Sequence, residues 1–223
     1  MNYDQLISKL QNRENFAFSR WGDGEFNCVL QTRPGKSNCD GNLYYPELGE
    51  ALKEIINSTQ PYYLGMQPLA KRLFPAVANE WLLNGSNWIN ADILHNASQE
   101  EGLDRLFDAV KGRMVLFIGP AYLHHICNMN DVIIDTGTAN CWTNRDKILL
   151  DIGTILGGGH SDWIVFISAG MAANYFVDLL YNCYRELHTF IDAGSVFDPY
   201  CGVNSRKYHS HIIERINADK TSN

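Results

Sequence analysis

"DWIVFISAG", residues 162–170, runs directly into "MAANYFVDLLYNCYREL", residues 171–187, and this pair of stretches decides the fold. The first is apolar almost throughout, has the length of a strand, and ends in the small residues Ser168, Ala169 and Gly170. A strand with one wet face alternates apolar with polar residues. An uninterrupted apolar run marks a strand covered on both faces, as in a parallel sheet. The second stretch carries its apolar residues at helical spacing, so the whole reads as strand, small-residue turn, helix.

The same unit recurs on both sides. "RMVLFIG" (113–119) ends in Gly119-Pro120 and leads to the short helical stretch "AYLHHICN"; "DVIIDTG" (131–137) is followed by "NRDKILLDIGTIL"; "TFIDAG" (189–194) is a further strand. Toward the N-terminus, "DQLISKL" reads as helix, "NFAFSRW" (15–21) as strand and "GEFNCVLQ" as helix. "YPELGEALKEIINS" places Pro46 at a helix start with Leu48, Leu52, Ile55 and Ile56 on one face, and "PYYLGM" (61–66) is a strand. "PLAKRLFPAVANEWLL" reads as a helix interrupted near Pro75 and "NWINADIL" as a strand. Ser98 with Glu101 three residues on gives "SQEEGLDRLFDAV" a capping-box start. With no repeat, linker or low-complexity tract, this alternation predicts one α/β domain over residues 1–223, Rossmann-like, with a mostly parallel sheet and helices on both faces.

Composition narrows the function. Hydrophobic residues make up 45% of the 223, charged residues 19%, and the formal net charge is -7. This is an ordinary globular chain whose acidity argues against indiscriminate binding to nucleic acid or anionic membranes. "MNYDQLISKLQNREN" lacks a basic segment followed by an apolar core, and no apolar run approaches the roughly 20 residues that span a bilayer, so a cytoplasmic protein without a membrane span is expected. The six cysteines include no C-x-x-C pair and are expected to be free thiols, and the sequon at Asn96 is expected to carry no glycan. Neither His124-His125 nor His209 and His211 has zinc-protease spacing, "LGGGH" (156–160) lacks the P-loop pattern, and "SAGMA" does not place its serine as G-x-S-x-G requires.

In a sheet of this kind ligands bind beyond the carboxyl ends of the strands. "SRWGDGEF", residues 19–26, sits at such an end. Asp23 and Glu25 occupy the turn after a strand, and Gly22 and Gly24 are expected to supply the backbone freedom of a tight turn. Two hard oxygen ligands at D-x-E spacing suit Mg²⁺ or Mn²⁺, with a substrate diphosphate completing the shell. The same acids would also cap a following helix and complement its dipole. Ser168, Ala169 and Gly170 would present backbone N–H groups to phosphate at a helix start. In "SRKYHSHIIER" (205–215), Arg206, Lys207, Tyr208, His209 and His211 could bind diphosphate or an anionic acceptor, or form a solvated tail helix.

"FSRWGDGEF" resembles the R-x-G-D-G-E segment of the GT-D-type glycosyltransferases. The likeness extends in order along the chain through "MVLFIGP", "TANCWTNRDKIL" with Asn140 and Asp146, "IVFISAGMAAN" and "FIDAG". It implies a Rossmann-like enzyme that moves a sugar from a nucleotide diphosphate sugar to an acceptor hydroxyl. Asp23 and Glu25 would be the metal ligands; Arg20, Gly22, Gly24, Asn140, Ser168, Ala169 and Gly170 would lie with them at the donor. Past Gly194 the chain departs from the family's histidine and acid-rich continuation, reading "SVFDPYCGVNSRKYHSH", which leaves Asp198 as first and Asp192 as second choice of base. The implied acceptor is a glycan or glycoprotein; a hydroxymethylated base of phage DNA is the alternative within the same chemistry. A non-catalytic sugar-nucleotide binding module, and a structural domain whose acids are caps only, are the readings from other classes. Sugar, nucleotide and oligomeric state are not encoded in these motifs.

Overall fold

The structure is a computed structural model that describes residues 1–221. The elements follow in the order α1 (Tyr3–Gln11), β1 (Ala17–Trp21), α2 (Asp23–Val29), α3 (Pro46–Ile56), β2 (Tyr63–Met66), α4 (Pro68–Leu73), α5 (Pro75–Trp81), β3 (Asn87–Asn90), α6 (Ile93–Glu100), α7 (Asp104–Val110), β4 (Val115–Gly119), β5 (Val132–Asp135), α8 (Arg145–Leu156), β6 (Ile164–Ile167), α9 (Ala173–Tyr184), β7 (Thr189–Asp192) and α10 (His209–Thr221), with 3-10 turns at Ala121–Ile126, Cys141–Asn144, Gly170–Ala172 and Asp198–Cys201. The strands form one seven-stranded sheet in the order β3-β2-β1-β7-β6-β4-β5, every pairing parallel. This is the Rossmann-like α/β architecture that the continuous apolar runs require.

The two-residue period of the strands divides the core. Ala17 and Trp21 of β1, Leu116 and Ile118 of β4, and Val165 and Ile167 of β6 pack with α2, α3, α8 and α9 on one face. Phe18, Val115, Phe117, Ile164 and Phe166 pack with α1, α6 and α7 on the other. Arg20 lies two residues beyond Phe18 and therefore projects to the α6 side. Phe74, at φ -128 and ψ 56, breaks the helical run before Pro75, giving α4 and α5 as separate helices.

The helix expected to start at Ser98 does not start there. Ser98 is buried inside α6, and α7 begins at Asp104. Gly102, at φ +86, ends α6 in a left-handed turn whose N–H donates to Ala97 O. The apolar residues Ile93, Leu94 and Ala97 hold the earlier helix in place, so packing overrides the local capping pattern. No described helix is long and apolar enough to cross a membrane. All six cysteines are free thiols.

Candidate active site

The chain leaves β1 toward the β3 edge and leaves β4 toward the β5 edge, so the loops beyond the strands' carboxyl ends diverge and open a cleft of about 840 Å³. Each of the seven strand ends contributes to it, through Asp23, Gln67, Asp92, Pro120, Thr138, Ser168 and Asp192 in chain order. The α2–α3 loop and the segment before α10 close its sides.

Asp23 and Glu25 fall in the first turn of α2, and the two roles weighed for them separate. Glu25 caps: its carboxylate accepts the Gly22 N–H at 2.7 Å. Burial raises its pKa to about 7, with the charge of Asp192 adding and Arg20 and the cap hydrogen bond opposing. The Asp23 carboxylate accepts no hydrogen bond and joins no ion pair among the described residues, although the residue lines the cleft. The glycines act through space rather than backbone freedom. Gly22 is extended, at φ -105, and Gly24 is helical. A Cβ on Gly22 would sit 2.9 Å from Gln67 Oε1, and one on Gly24 would sit 3.3 Å from Met171 Cγ.

Arg20 and Asp192 tie the cleft floor together. Asp192 is 4% exposed and accepts the backbone N–H of Arg20 at 3.0 Å and that of Gly194 at 3.0 Å. Burial raises its pKa to about 6, opposed by Arg20 and the two amides. The Arg20 side chain donates to Ala91 O at 2.9 Å and to Asp92 at 3.4 Å. Its guanidinium passes over Gly194, where a Cβ would collide with it. Asn174 donates to the Arg20 carbonyl at 2.8 Å. Arg20 is thus a strut between β1 and the start of α6.

The other sequence candidates are dispersed. Asp198 is buried at the cleft wall, but the hydroxyls of Tyr122, at 2.9 Å, and of Ser205 occupy its two oxygens, while burial raises its pKa. Ser168 lines the cleft with an unpartnered Oγ, yet its N–H already donates to Ile118 O at 2.7 Å. Gly170 lines the cleft at φ +57, whereas Ala169 is buried behind it. Asn140 is outside the cleft lining: its side chain accepts from Leu43 N at 2.7 Å and its own N–H donates to Asn42, so it pins the α2–α3 loop. Asp146 is exposed in the first turn of α8.

Several lining residues carried no sequence signal. Asp40 of the α2–α3 loop makes a bidentate ion pair with Arg206, 166 residues away. Arg33, in the same loop, lines the cleft with a guanidinium that has no partner among the described residues. His95 of α6 is 7% exposed with Nδ1 unpartnered. Of the tail candidates, Arg206 and Tyr208 line the cleft, His209 is buried, and Lys207 and His211 are exposed.

Charge is unevenly distributed. The lining holds the carboxyl groups of Asp23, Glu25, Asp40, Asp92, Asp192 and Asp198 against the guanidinium groups of Arg20, Arg33 and Arg206. Arg20 is committed to Asp92 and Arg206 to Asp40, which leaves Arg33 facing an excess of acid. No group of three or more His, Cys, Asp or Glu that could enclose a metal occurs among the described residues. Asp23 and the second oxygen of Glu25 are therefore suited to a hard cation only if a ligand supplies the rest of the shell.

No protein-family model matches the chain. No curated protein sequence is significantly similar to it. A solved structure described as the "selenomethionine substituted structure of domain of unknown function 1792 (DUF1792)" superposes on 90% of this chain and 79% of its own with a TM-score of 0.64, at 14% sequence identity. The chain shares the fold of that domain.

Proposed function

We propose that the protein is a glycosyltransferase that binds a nucleotide diphosphate sugar with Mn²⁺ or Mg²⁺ at Asp23 and Glu25 and passes the sugar to an acceptor hydroxyl. The observation that carries this reading is the unpartnered Asp23 carboxylate beside Glu25 at the end of β1, in the cleft into which all seven strands open. An unpaired acid in an already acidic cleft would repel a diphosphate alone; a cation carried in with the diphosphate removes that conflict. When bound, the ion would neutralise charge on the departing diphosphate. The resemblance of the ordered motifs to those of the GT-D-type enzymes and the fold shared with the DUF1792 domain agree with this reading.

The protein's own groups then divide the work. Arg33 is the guanidinium free to meet phosphate oxygens, while Arg20 keeps the floor rigid. Of the two candidate bases, Asp192 is the better placed. It lines the cleft, each of its oxygens accepts a single backbone amide, and a pKa of about 6 leaves it ionised at neutral pH yet basic enough to take a hydroxyl proton. Asp198, held by two hydroxyls, positions the segment between β7 and α10.

Isothermal titration of nucleoside diphosphates, with Mn²⁺ or with chelator, tests the donor site. Metal-dependent binding that disappears in Asp23→Ala is expected; binding indifferent to both metal and substitution would refute it. Donor hydrolysis without acceptor separates the enzyme from a non-catalytic binding module, which would bind without turnover.

A further inference from the structure

The two walls of the cleft belong to opposite layers of the domain. The D-x-E acids stand on α2, which packs against one face of the sheet through Phe26, whereas α6 packs against the other through Ile93, Leu94 and Ala97. From the N-cap of α6 onward the residues reaching the cleft are Asp92, His95, Asn96 and Gln99. Their spacing, i, i+3, i+4 and i+7, is that of a single helical stripe. A polar stripe is ordinarily a solvated surface, but here Asn96 and Gln99 are exposed while His95, beside Asn96 on the stripe, is only 7% exposed. The His95 ring makes no hydrogen bond among the described residues: Nδ1 is sealed without a partner, and Nε2 is unpartnered but not sealed. A ring nitrogen on a cleft wall is costly to leave unpaired, and Nε2 is the one an incoming hydroxyl can reach.

We propose that this stripe, with Tyr208 beside it, is the acceptor subsite and that the acceptor is an uncharged saccharide hydrogen-bonded by His95. The assignment rests on the glycosyl-transfer reading above and names the substrate class of its second half. Burial, together with the charges of Arg20, His209 and Arg206, holds the His95 pKa well below the usual histidine range, so the ring is neutral at physiological pH. A neutral imidazole offers one donor and one acceptor, the amides of Asn96 and Gln99 offer both an NH2 donor and a carbonyl acceptor, and a sugar hydroxyl is donor and acceptor at once. The Tyr208 ring stands edge-on to His95 with centroids 5.9 Å apart and adds an aromatic border. An anionic acceptor fits this wall poorly. Asp92 lies on the stripe, and the neighbouring guanidiniums of Arg20 and Arg206 are engaged by Asp92 and Asp40, so a phosphodiester would find no uncommitted cation there among the described residues. Walls on opposite layers also let acceptor and diphosphate approach the transferred sugar from different sides.

Saturation-transfer NMR on the whole chain, in chelator, with lactose, maltose, cellobiose and N,N′-diacetylchitobiose as probes and a single-stranded hexanucleotide as competitor, tests the assignment. At least one disaccharide should bind, weaken fivefold or more in both His95→Ala and Asn96→Ala, and bind Asp23→Ala normally. Asn96 is exposed, so its variant keeps the test open if His95→Ala does not fold. The assignment is overturned if none of the four binds, if both variants bind like the wild type, or if the hexanucleotide binds and displaces the sugar. Disaccharide binding without metal-dependent nucleotide binding would sink the donor reading and leave this site standing; the reverse would sink this site alone.

Discussion

Gly194→Ala should uncouple the cleft floor. Gly194 adopts φ +55, where an L-residue costs roughly 1–2 kcal/mol. The added Cβ would also fall within the Arg20 guanidinium, 3.3 Å from Cζ and 3.5 Å from His95 Cε1. Arg20 would have to swing away and release Ala91 O, a charge-assisted hydrogen bond worth about 1.5–3 kcal/mol in such a setting. Together these give a loss of about 2.5–5 kcal/mol, which for a chain of this length lowers Tm by roughly 10 °C. Thermal unfolding followed by circular dichroism measures it. In an Arg20→Ala background the collision is gone, and the same glycine substitution should cost only the backbone share, about 1–2 kcal/mol. A Tm within 2 °C of wild type in the intact background, or an undiminished loss in the Arg20→Ala background, would refute the strut.

Four further outcomes are expected. Asp23→Ala removes a carboxylate with no protein partner, so Tm should change by no more than about 2 °C while metal-dependent nucleoside diphosphate affinity, read by titration calorimetry, falls at least tenfold. Glu25 is held near 7 by burial against an unfolded value near 4.5, so its protonated form favours the folded state and that stabilisation is lost as pH rises from about 4.5 through 7. In metal-free buffer, Glu25→Gln, which keeps the acceptor for Gly22 N–H, should flatten this decline in a Tm series from pH 5 to 8; an unchanged slope would contradict the buried-acid account. Tyr122→Phe removes one hydrogen bond from buried Asp198 and should cost about 1.5–3 kcal/mol in a urea melt, leaving nucleoside diphosphate affinity intact. Asp40→Ala frees Arg206 at the cleft side and should strengthen diphosphate binding in low salt; no change would mean that Arg206 points away from the phosphates.

What each residue type could do alone was readable from the chain. The uninterrupted runs Ile164–Ile167 and Val115–Gly119 required a sheet covered on both faces, because no polar residue in them could face water. The break at Pro75 and the helix read from Gly24, one residue past its observed start at Asp23, were equally local. Ser98 misled because a capping box is judged over four residues, whereas burial of Ile93, Leu94 and Ala97 against the sheet set the helix. The site was legible only in part for the same reason. The D-x-E acids are neighbours in sequence, but which of them caps and which faces the cleft depends on the turn's three-dimensional course.

The strand order was decided by tertiary structure alone. It lays β7 against β1 and so brings Asp192 to the Arg20 amide, 172 residues apart in sequence. The same packing closes Asp40 on Arg206, requires a glycine at position 194 and turns His95, an ordinary helical histidine by sequence, into an unpaired ring on the cleft wall. Periodicity reports how a residue sits in its own element. Pairing between elements depends on the chain's long-range return, and that leaves no mark in a local window of sequence.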